Sequence, residues 1–363
     1  MYSIDTSRLI ELLDEDVSLT LLDVRSTAEF AEWSIPGATN IPLDELPERI
    51  GEIPEGTLVT VCARGRRAEE ASALLAHEGV ESSVLAGGMA AWGRAYDQVA
   101  VHLGDATVVQ IRRRGKGCLS YVVGAGEACL VIDPSLDLEQ YLATASAHGW
   151  RITHVADTHL HADHLSGAKL LAESTGAVHL VNLADPFTFE GSTSLETGSI
   201  KLSTTSTVSI GALSTPGHTR GSTTFDLDGR AMFTGDELFI ESVGRPDLAD
   251  HAVEFAHDLY RSIHESLLQH DDATLVMPAH FGPSVEISSH ELVAAPLGRL
   301  RAEMAPLRLN EEAFVAWAAS QAAPRPPNYV AIVEANMAGI VMGDEERETL
   351  ESGPNRCAVD APH

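Results

Sequence analysis

Basic residues are scarce in this 363-residue sequence, which contains 24 lysines and arginines against 53 aspartates and glutamates. The formal charge of -29 would repel nucleic-acid backbones and anionic lipid surfaces unless arginines were concentrated locally. Such concentrations are limited to two short stretches, at residues 112–114 and 64–67. We therefore expect neither a nucleic-acid partner nor a membrane partner.

Cysteines and long apolar runs are also sparse. The four cysteines, Cys62, Cys118, Cys129 and Cys357, have no paired spacing, which predicts reduced thiols rather than a disulfide framework. No stretch approaches the length of apolar sequence that a membrane span requires. The acidic residues 1–19 lack a basic region followed by an apolar run, so they do not resemble a signal peptide. The expected location is the cytoplasm.

The length leaves room for two domains, and the sequence pattern changes near residue 100. Residues 1–98 alternate short β-branched runs with helical patterns, which predicts a small parallel α/β domain. Residues 107–342 present successive strands separated by glycine turns, which predicts sheets packed face to face with helices outside. We assign residues 99–106 to a linker. The charged residues 343–363 are expected to form a flexible tail.

Histidines and aspartates recur where strands of the second domain are predicted to end. HLHADH at residues 159–164 follows one such strand, and His218, Asp236 and His280 lie at the ends of others. Imidazole and carboxylate ligands in this arrangement can hold one or two divalent metals and leave a coordination position open. A single histidine there is usually structural, but agreement at several places indicates a metal centre. Asp133, at another strand end, is either a turn cap or a carboxylate that orients a ligand histidine, and we favour the second interpretation.

These motifs give the second domain a family resemblance. HLHADH is followed by PGHT at residues 216–219, TGD at 234–236 and PAH at 278–280, the order found in the metallo-β-lactamase superfamily. The domain resembles that superfamily over residues 107–285, which implies an αββα fold. The resemblance leaves the reaction open, because hydrolases such as glyoxalase II carry the same motifs.

The segment TGDELFIESVGRPDL at residues 234–248 is similar to the persulfide dioxygenase branch of that superfamily. The resemblance implies one Fe(II) per chain, held by His159, His218 and Asp236, with positions free for O₂ and a substrate sulfur. The other polar members of the motifs would form a vestigial second site or surround the iron; they are His161, Asp163, His164 and His280. A hydrolase with two Zn(II) per chain stays open, because every ligand of a two-metal site is present.

Substrate contacts are expected at two further residues of this domain. By residue type, Arg245 and Asp247 of GRPDL form a solvated turn pair, but the resemblance gives Arg245 a role beside the iron. That role is to position a ligand, the substrate or the neighbouring loop. We also expect Tyr260, in the similar segment LYRSIHESLL, to bind substrate. The NPRL-like segment of glutathione-using relatives is replaced here by a region in which Arg299 and Arg301 can meet a carboxylate.

Cys62 ends a predicted strand and begins the loop CARGRR, which runs directly into a helix. Backbone N–H groups, the positive end of the helix and three arginines all favour a thiolate, so the sequence predicts a reactive cysteine. The same surroundings can stabilise an anionic substrate or a bound persulfide. We assign catalysis to Cys62, Arg64 and Arg67 of this loop, and to Arg245 of the second domain. Arg66 is expected to bind substrate.

Residues 1–98 resemble a single rhodanese domain. LLDVRSTAEF, IPGATNIPL, the six-residue cysteine loop and AGGMAAW follow one another in that family's order. A loop of this length is associated with sulfur transfer, whereas related phosphatases have a longer one. Asp23 and Arg25 are structural in this pattern. Ser34 stands where many relatives carry a histidine, and we expect little consequence for the chemistry.

The two resemblances share one substrate class, sulfane sulfur carried on a thiol. We hypothesise that the second domain uses O₂ to oxidise a thiol persulfide, such as glutathione persulfide, to sulfite plus thiol. A Cys62 persulfide would interconvert persulfide plus sulfite with thiosulfate plus thiol. The alternatives are a dizinc, glyoxalase II-like thioester hydrolase and a rhodanese domain that only binds or senses a partner thiol. Dimerisation is common in the family, so a homodimer is also expected.

Overall fold

The computed structural model describes residues 2–15, 18–202, 207–246, 251–282, 285, 287–288, 290–320 and 328–353. The first domain contains one parallel five-stranded sheet, with the strand order β1-β5-β4-β2-β3. Its strands are β1 (Tyr2–Ile4), β2 (Leu19–Asp23), β3 (Thr39–Asn40), β4 (Thr57–Val61) and β5 (Ser83–Leu85). Its helices are α1 (Thr6–Asp14), α2 (Thr27–Glu32), α3 (Leu46–Arg49), α4 (Arg66–His77) and α5 (Gly88–Trp92).

Alternation along β4 gives this sheet two apolar faces. Val59 and Val61 pack with α1 and α5, whereas Leu58 and Cys62 pack with α3 and α4. Successive side chains of a strand point to opposite faces, so a strand covered on both sides is apolar at nearly every position. This confirms the predicted parallel α/β fold.

The second domain begins with a seven-stranded mixed sheet, with the strand order β12-β11-β10-β9-β8-β7-β6. Its strands are β6 (Tyr96–Leu103), β7 (Ala106–Arg113), β8 (Cys118–Ala125), β9 (Ala128–Ile132), β10 (Arg151–Ala156), β11 (Val178–Val181) and β12 (Ser192–Ser194). A six-stranded sheet follows, formed in order by β13 (Gly198–Lys201), β14 (Ser209–Ser214), β15 (Thr223–Leu227), β16 (Ala231–Gly235), β17 (Leu275–Pro278) and β18 (Ala295–Pro296).

Helices cover the outer faces of both sheets; they are α6 (Glu139–Ala147), α7 (Ala168–Thr175), α8 (Ala252–Arg261), α9 (Leu297–Glu303) and α10 (Glu311–Ser320). The following helices α11 (Tyr329–Ala338) and α12 (Asp344–Leu350) pack around Leu165, in the loop after β10. Between the sheets, Tyr121 packs against Phe233 in a core shared by both. On the outer face of the first sheet, Val122 packs with α6 and α7. The αββα expectation is therefore confirmed. None of the described helices has the length and apolar character that crossing a bilayer requires.

Two boundaries differ from the sequence expectation. The proposed linker, residues 99–106, lies in the β6–β7 hairpin, where Tyr96 to Leu103 pair in register with β7. Alternate β6 side chains are exposed, so the sequence there lacks the continuous apolar run of an inner strand. The proposed tail, residues 343–363, includes α12, so it is not a flexible tail throughout. Its residues 354–363, with Cys357, lie outside the described residues.

A buried carboxylate explains why the charged C-terminal segment folds. Glu351 is 5% exposed, and it accepts hydrogen bonds from Arg113 Nη2 at 3.0 Å and Arg347 Nε at 3.1 Å. Its other oxygen accepts from Leu165 N–H, directly after HLHADH, at 2.9 Å. Burial disfavours the charged carboxylate, but the two arginines lower the pKa of Glu351 to about 2. Arg113 also donates to Gly93 O at 2.6 Å, so one ionised group joins α12 to both domains.

We expect Glu351→Ala to lower the free energy of unfolding by about 3–5 kcal/mol, because it leaves the buried Arg113 without its carboxylate. Arg347 keeps its second carboxylate partner, Asp137. Chemical denaturation monitored by circular dichroism measures this change. Glu52→Ala is the matched control, since Glu52 pairs with Arg49 at the surface and should contribute little. Equal stability of the two variants would contradict the role given to Glu351.

Candidate metal centre and thiol loop

Three buried acceptor atoms converge inside the second domain. His159 follows β10, His218 follows β14, and Asp236 follows β16; each residue is at most 2% exposed. His159 Nε2 and His218 Nε2 lie 3.6 and 3.5 Å from Asp236 Oδ2. None of these three atoms has a hydrogen-bond partner among the described residues. The set of two imidazoles and one carboxylate expected from the sequence is therefore assembled in space.

The proton of His159 is placed on the side away from this cluster. His159 Nδ1 lies 2.9 Å from Thr158 Oγ1, and that hydroxyl donates its own hydrogen to Asp133 Oδ2 at 2.9 Å. The hydroxyl must then accept from His159 Nδ1–H, which leaves Nε2 with a free lone pair. Asp133 also accepts from Thr158 N–H at 2.7 Å. Asp133 is therefore linked to His159, a candidate metal ligand, through Thr158, and its expected role in orienting that histidine stays a prediction.

Asp133 adopts a backbone conformation that is unusual for a residue with a side chain. Its φ is +52°, in the left-handed region. Such strain persists where surrounding contacts hold the residue, and here both carboxylate oxygens are bonded to Thr158. The strained turn places this carboxylate in contact with Thr158 and His161 of the candidate metal-binding loop.

The loop after β16 orients His218 through its backbone. His218 Nδ1 donates to Arg245 O at 3.0 Å, because a carbonyl oxygen can only accept, and its Nε2 again keeps a lone pair. Gly244, next to Arg245, allows the loop to pass close to Asp236, since a Cβ on residue 244 would lie 1.8 Å from Asp236 O. The Arg245 side chain is 1% exposed. Arg245 therefore contacts a candidate ligand through its carbonyl, and its predicted partner Asp247 lies outside the described residues.

The charge state of the three donors suits a metal cation. Burial lowers the pKa of both His159 and His218, so their imidazoles are neutral. Burial opposes ionisation of Asp236, but the neighbouring His280 holds the pKa of this carboxyl below its ordinary value. Three lone pairs therefore face one another with no hydrogen between them, an arrangement that a bound cation would stabilise. The donor set fits a two-histidine, one-carboxylate metal centre.

His161 lies apart from these donors. Its Nε2 is 3.0 Å from Asp133 Oδ1 and 3.7 Å from Asp157 Oδ1. His161 thus groups with two carboxylates, although its ring centroid is only 4.2 Å from that of His159. Its other ring nitrogen, Nδ1, has no hydrogen-bond partner among the described residues, so whether His161 binds a metal or surrounds the centre stays a prediction.

Asp163, His164 and His280 form another buried cluster, which also contains Cys118. His280 joins it to the first cluster, since its Nδ1 lies 2.6 Å from Asp236 Oδ1 and its Nε2 2.8 Å from Asp163 Oδ2. Burial opposes the charged imidazole of His164, but Asp163 raises its pKa to about 10. Cys118 was not predicted here, because a lone cysteine at the start of a strand carries no ligand signal.

The Cys62 loop joins the end of β4 to α4 in the first domain. Cys62 is 1% exposed, and its Sγ accepts a hydrogen bond from Gly65 N–H at 3.1 Å. Met89 N–H donates to Cys62 O at 2.8 Å and fixes the loop against α5. Gly88 permits this contact, because a Cβ there would lie 2.1 Å from Cys62 O. The backbone cradle expected around the thiol is therefore present.

The three loop arginines are paired with carboxylates. Arg67 donates to both oxygens of Glu29, at 2.9 and 2.7 Å. Arg64, with a side chain 69% exposed, pairs with Glu348 of α12 at 2.9 Å. Arg66 is the most exposed of the three, and it lies 3.7 Å from Glu70. Their roles in catalysis and substrate binding stay predictions. Asp23 and Arg25 form a buried pair at 2.6 Å, in line with a structural role.

The remaining candidate substrate contacts lie in packing regions. Tyr260 stacks on His264, with ring centroids 3.9 Å apart, and packs against Phe314 of α10. Arg299 lies 3.3 Å from Glu303 within α9. Arg301 donates to Asp272 and to the carbonyls of Leu268 and His270. Binding of substrate by Tyr260 or of a carrier carboxylate by Arg299 and Arg301 stays a prediction.

Known protein families match both domains. A model of the rhodanese-like domain matches residues 5–95, and one of the metallo-beta-lactamase superfamily matches residues 113–280. The mitochondrial persulfide dioxygenase ETHE1 of Mus musculus is 30% identical over 233 residues, which cover 61% of this chain and 84% of that protein. A hydroxyacylglutathione hydrolase of Anaeromyxobacter dehalogenans is 35% identical over 138 residues, 37% of this chain and 51% of that protein.

The second domain also matches a solved structure. The crystal structure of ETHE1 from Myxococcus xanthus has a TM-score of 0.55 and 24% sequence identity, and the match covers 67% of this chain and 98% of that one. At this level of identity the likeness shows the shared fold alone.

We expect Thr158→Val to weaken metal binding about 10- to 100-fold, because it removes the hydroxyl that links His159 to Asp133. Competition with a chelator measures the affinity. Thr153→Val is the matched control in β10, the strand before Thr158, because Thr153 Oγ1 lies 3.0 Å from His154 Nδ1, and His154 is not a candidate metal ligand. If the two variants retain metal equally, Thr158 does not orient the ligand.

Proposed function

Since the chain belongs to the persulfide dioxygenase family of the metallo-β-lactamase superfamily and carries a rhodanese-like domain, we propose that it oxidises a low-molecular-weight thiol persulfide. The persulfide, O₂ and water give the free thiol, sulfite and two protons. The first domain exchanges sulfane sulfur through Cys62. Both proposed reactions involve a thiol persulfide and sulfite. Each reaction therefore uses or releases compounds that also take part in the other.

The observation that carries this proposal is the isolated set of three acceptors on His159, His218 and Asp236. Two imidazoles and one carboxylate are the protein ligands of non-haem Fe(II) oxygenases, and bound Fe(II) would supply open coordination positions for O₂ and a sulfur. Thr158 and the Arg245 carbonyl keep both Nε2 atoms free of hydrogen. The donors are buried, so the surrounding protein limits the access of water.

For sulfur transfer, the Cys62 thiolate attacks the outer sulfur of thiosulfate. A bond forms between Cys62 Sγ and that sulfur, the sulfur–sulfur bond of thiosulfate breaks, and sulfite leaves with the electron pair. The Gly65 N–H that already donates to Sγ, together with the start of α4, stabilises the negative charge on the loop. An acceptor thiolate then attacks the outer sulfur of the persulfide and returns Cys62 to its thiolate.

A thioester hydrolase is the second candidate, supported by the similarity to hydroxyacylglutathione hydrolase. That match spans about half of the hydrolase, 51% of its length. The geometry serves this candidate as well, because His161 Nε2 lies 3.0 Å from Asp133 Oδ1 while its Nδ1 is buried without a hydrogen-bond partner among the described residues. Metal content separates the two candidates, since one iron supports the dioxygenase and two zinc ions support the hydrolase.

A single variant, Cys62→Ser, should separate persulfide oxidation from sulfur transfer. Iron-loaded protein should consume O₂ when given glutathione persulfide, and Cys62→Ser should retain that consumption while losing thiosulfate sulfurtransfer. An oxygen electrode and a thiocyanate assay measure the two reactions. Cys129→Ala is the control, because burial raises the pKa of the Cys129 thiol to about 12 and leaves it unreactive. No O₂ uptake by the unmodified protein would refute the dioxygenase, and sulfurtransfer by Cys62→Ser would refute the nucleophile.

A further inference from the structure

A cavity of about 380 Å³ lies between the Cys62 loop and the C-terminal segment of the second domain. Ala63 and Arg64, the two residues after Cys62, line it together with Met89, whose N–H holds the Cys62 carbonyl. Glu348 of α12 and Ser352 line it from the second domain. The cavity therefore adjoins the sulfur-carrying loop, and both domains build it.

One cationic side chain of the lining, that of Arg64, is open to a ligand. Arg113 also lines the cavity, but its Nε and Nη2 donate to Gly93 O and Glu351, and its Nη1 is buried. Arg64 is largely exposed and pairs with Glu348, and such surface pairs contribute little to stability. A ligand carboxylate can therefore replace Glu348 at Arg64 at small cost.

The rest of the lining is mixed. Glu32 and Asp344 contribute carboxylates, which suit an ammonium group, and Trp33 and Met89 contribute apolar surface. The volume falls within the range of small-molecule sites, about 300–1,000 Å³, and far exceeds what an inorganic anion fills. Charges of both signs beside apolar surface match a zwitterionic organic molecule.

We propose that this cavity binds a zwitterionic low-molecular-weight thiol that accepts sulfur from Cys62, and that the C-terminal segment of the second domain completes the recognition surface. The inference rests on the proposed sulfurtransfer. In the reaction, the acceptor thiolate attacks the outer sulfur of the Cys62 persulfide. The bond between that sulfur and Cys62 Sγ breaks, its electron pair stays on Sγ, and the acceptor leaves as a persulfide.

The test compares a large and a small acceptor. Cys62 is loaded from thiosulfate, and its sulfur is then delivered either to glutathione, a tripeptide thiol with two carboxylates and an ammonium group, or to cyanide. Ser352→Trp fills the cavity from the side opposite the Cys62 loop. Glu346→Trp is the matched control, since Glu346 is exposed on α12 and is not among the lining residues.

Ser352→Trp should lower kcat/KM for glutathione about tenfold and change that for cyanide less than about twofold, because only the larger acceptor needs the cavity. Glu346→Trp should leave both values unchanged. An unchanged value for glutathione in Ser352→Trp, or an equal loss toward both acceptors, would overturn the proposal. Absence of transfer to cyanide by the unmodified protein would instead refute the sulfurtransfer itself.

Hydrogen exchange of the unmodified protein gives a second readout that does not depend on a variant folding. S-methylglutathione, which cannot accept sulfur, should slow amide exchange at residues 63–65 and in α12. Slowing at both places supports the cavity as the binding site. Exchange that is unchanged there at saturating S-methylglutathione contradicts it.

Discussion

Three lone pairs face one another in the interior of the second domain, on His159 Nε2, His218 Nε2 and Asp236 Oδ2. Such an arrangement is repulsive without a cation, so the surrounding protein must hold it in place. It does so by giving each imidazole hydrogen an acceptor on the far side, Thr158 for one ring and the Arg245 carbonyl for the other. The strained Asp133 and the close approach at Gly244 follow from the same requirement.

A second constraint links this centre to the first domain. Glu351 accepts from the N–H of Leu165, directly after HLHADH, and from Arg113, which in turn donates to Gly93 of the first domain. The HLHADH loop, the C-terminal helix and the first domain therefore share one buried ionised group. Because the C-terminal segment packs across the domain boundary, residues of both domains line the cavity beside the Cys62 loop.

Motifs at strand ends made much of this arrangement predictable. HLHADH and PGHT each follow a strand and TGD ends one, and strands of a sandwich bring their ends together at one edge, so the convergence of His159, His218 and Asp236 could be expected. The role of Thr158 could not, because Thr153-His154 within β10 shows the same residue pair away from the candidate metal donors. The difference between the two threonines lies in Asp133, which is distant in sequence and accepts hydrogen bonds from Thr158.

The C-terminal segment and the first strand of the second domain were misjudged for physical reasons. A charged segment is normally solvated, and nothing in its composition reveals that Glu351 meets Arg113 from a strand more than two hundred residues earlier. β6 is an edge strand with every second side chain exposed, so its sequence resembles a connection. Cys118 joins the cluster with His164 and His280 only through the fold. Contacts of this kind depend on tertiary structure rather than on local pattern.

The central claim is that this chain uses one iron at His159, His218 and Asp236. Elemental analysis of protein purified without added metal tests it most directly. The account predicts about one iron per chain, lost when Asp236 is replaced by asparagine, because the resulting amide removes the carboxylate ligand. Two zinc ions per chain would contradict it and would favour the hydrolase.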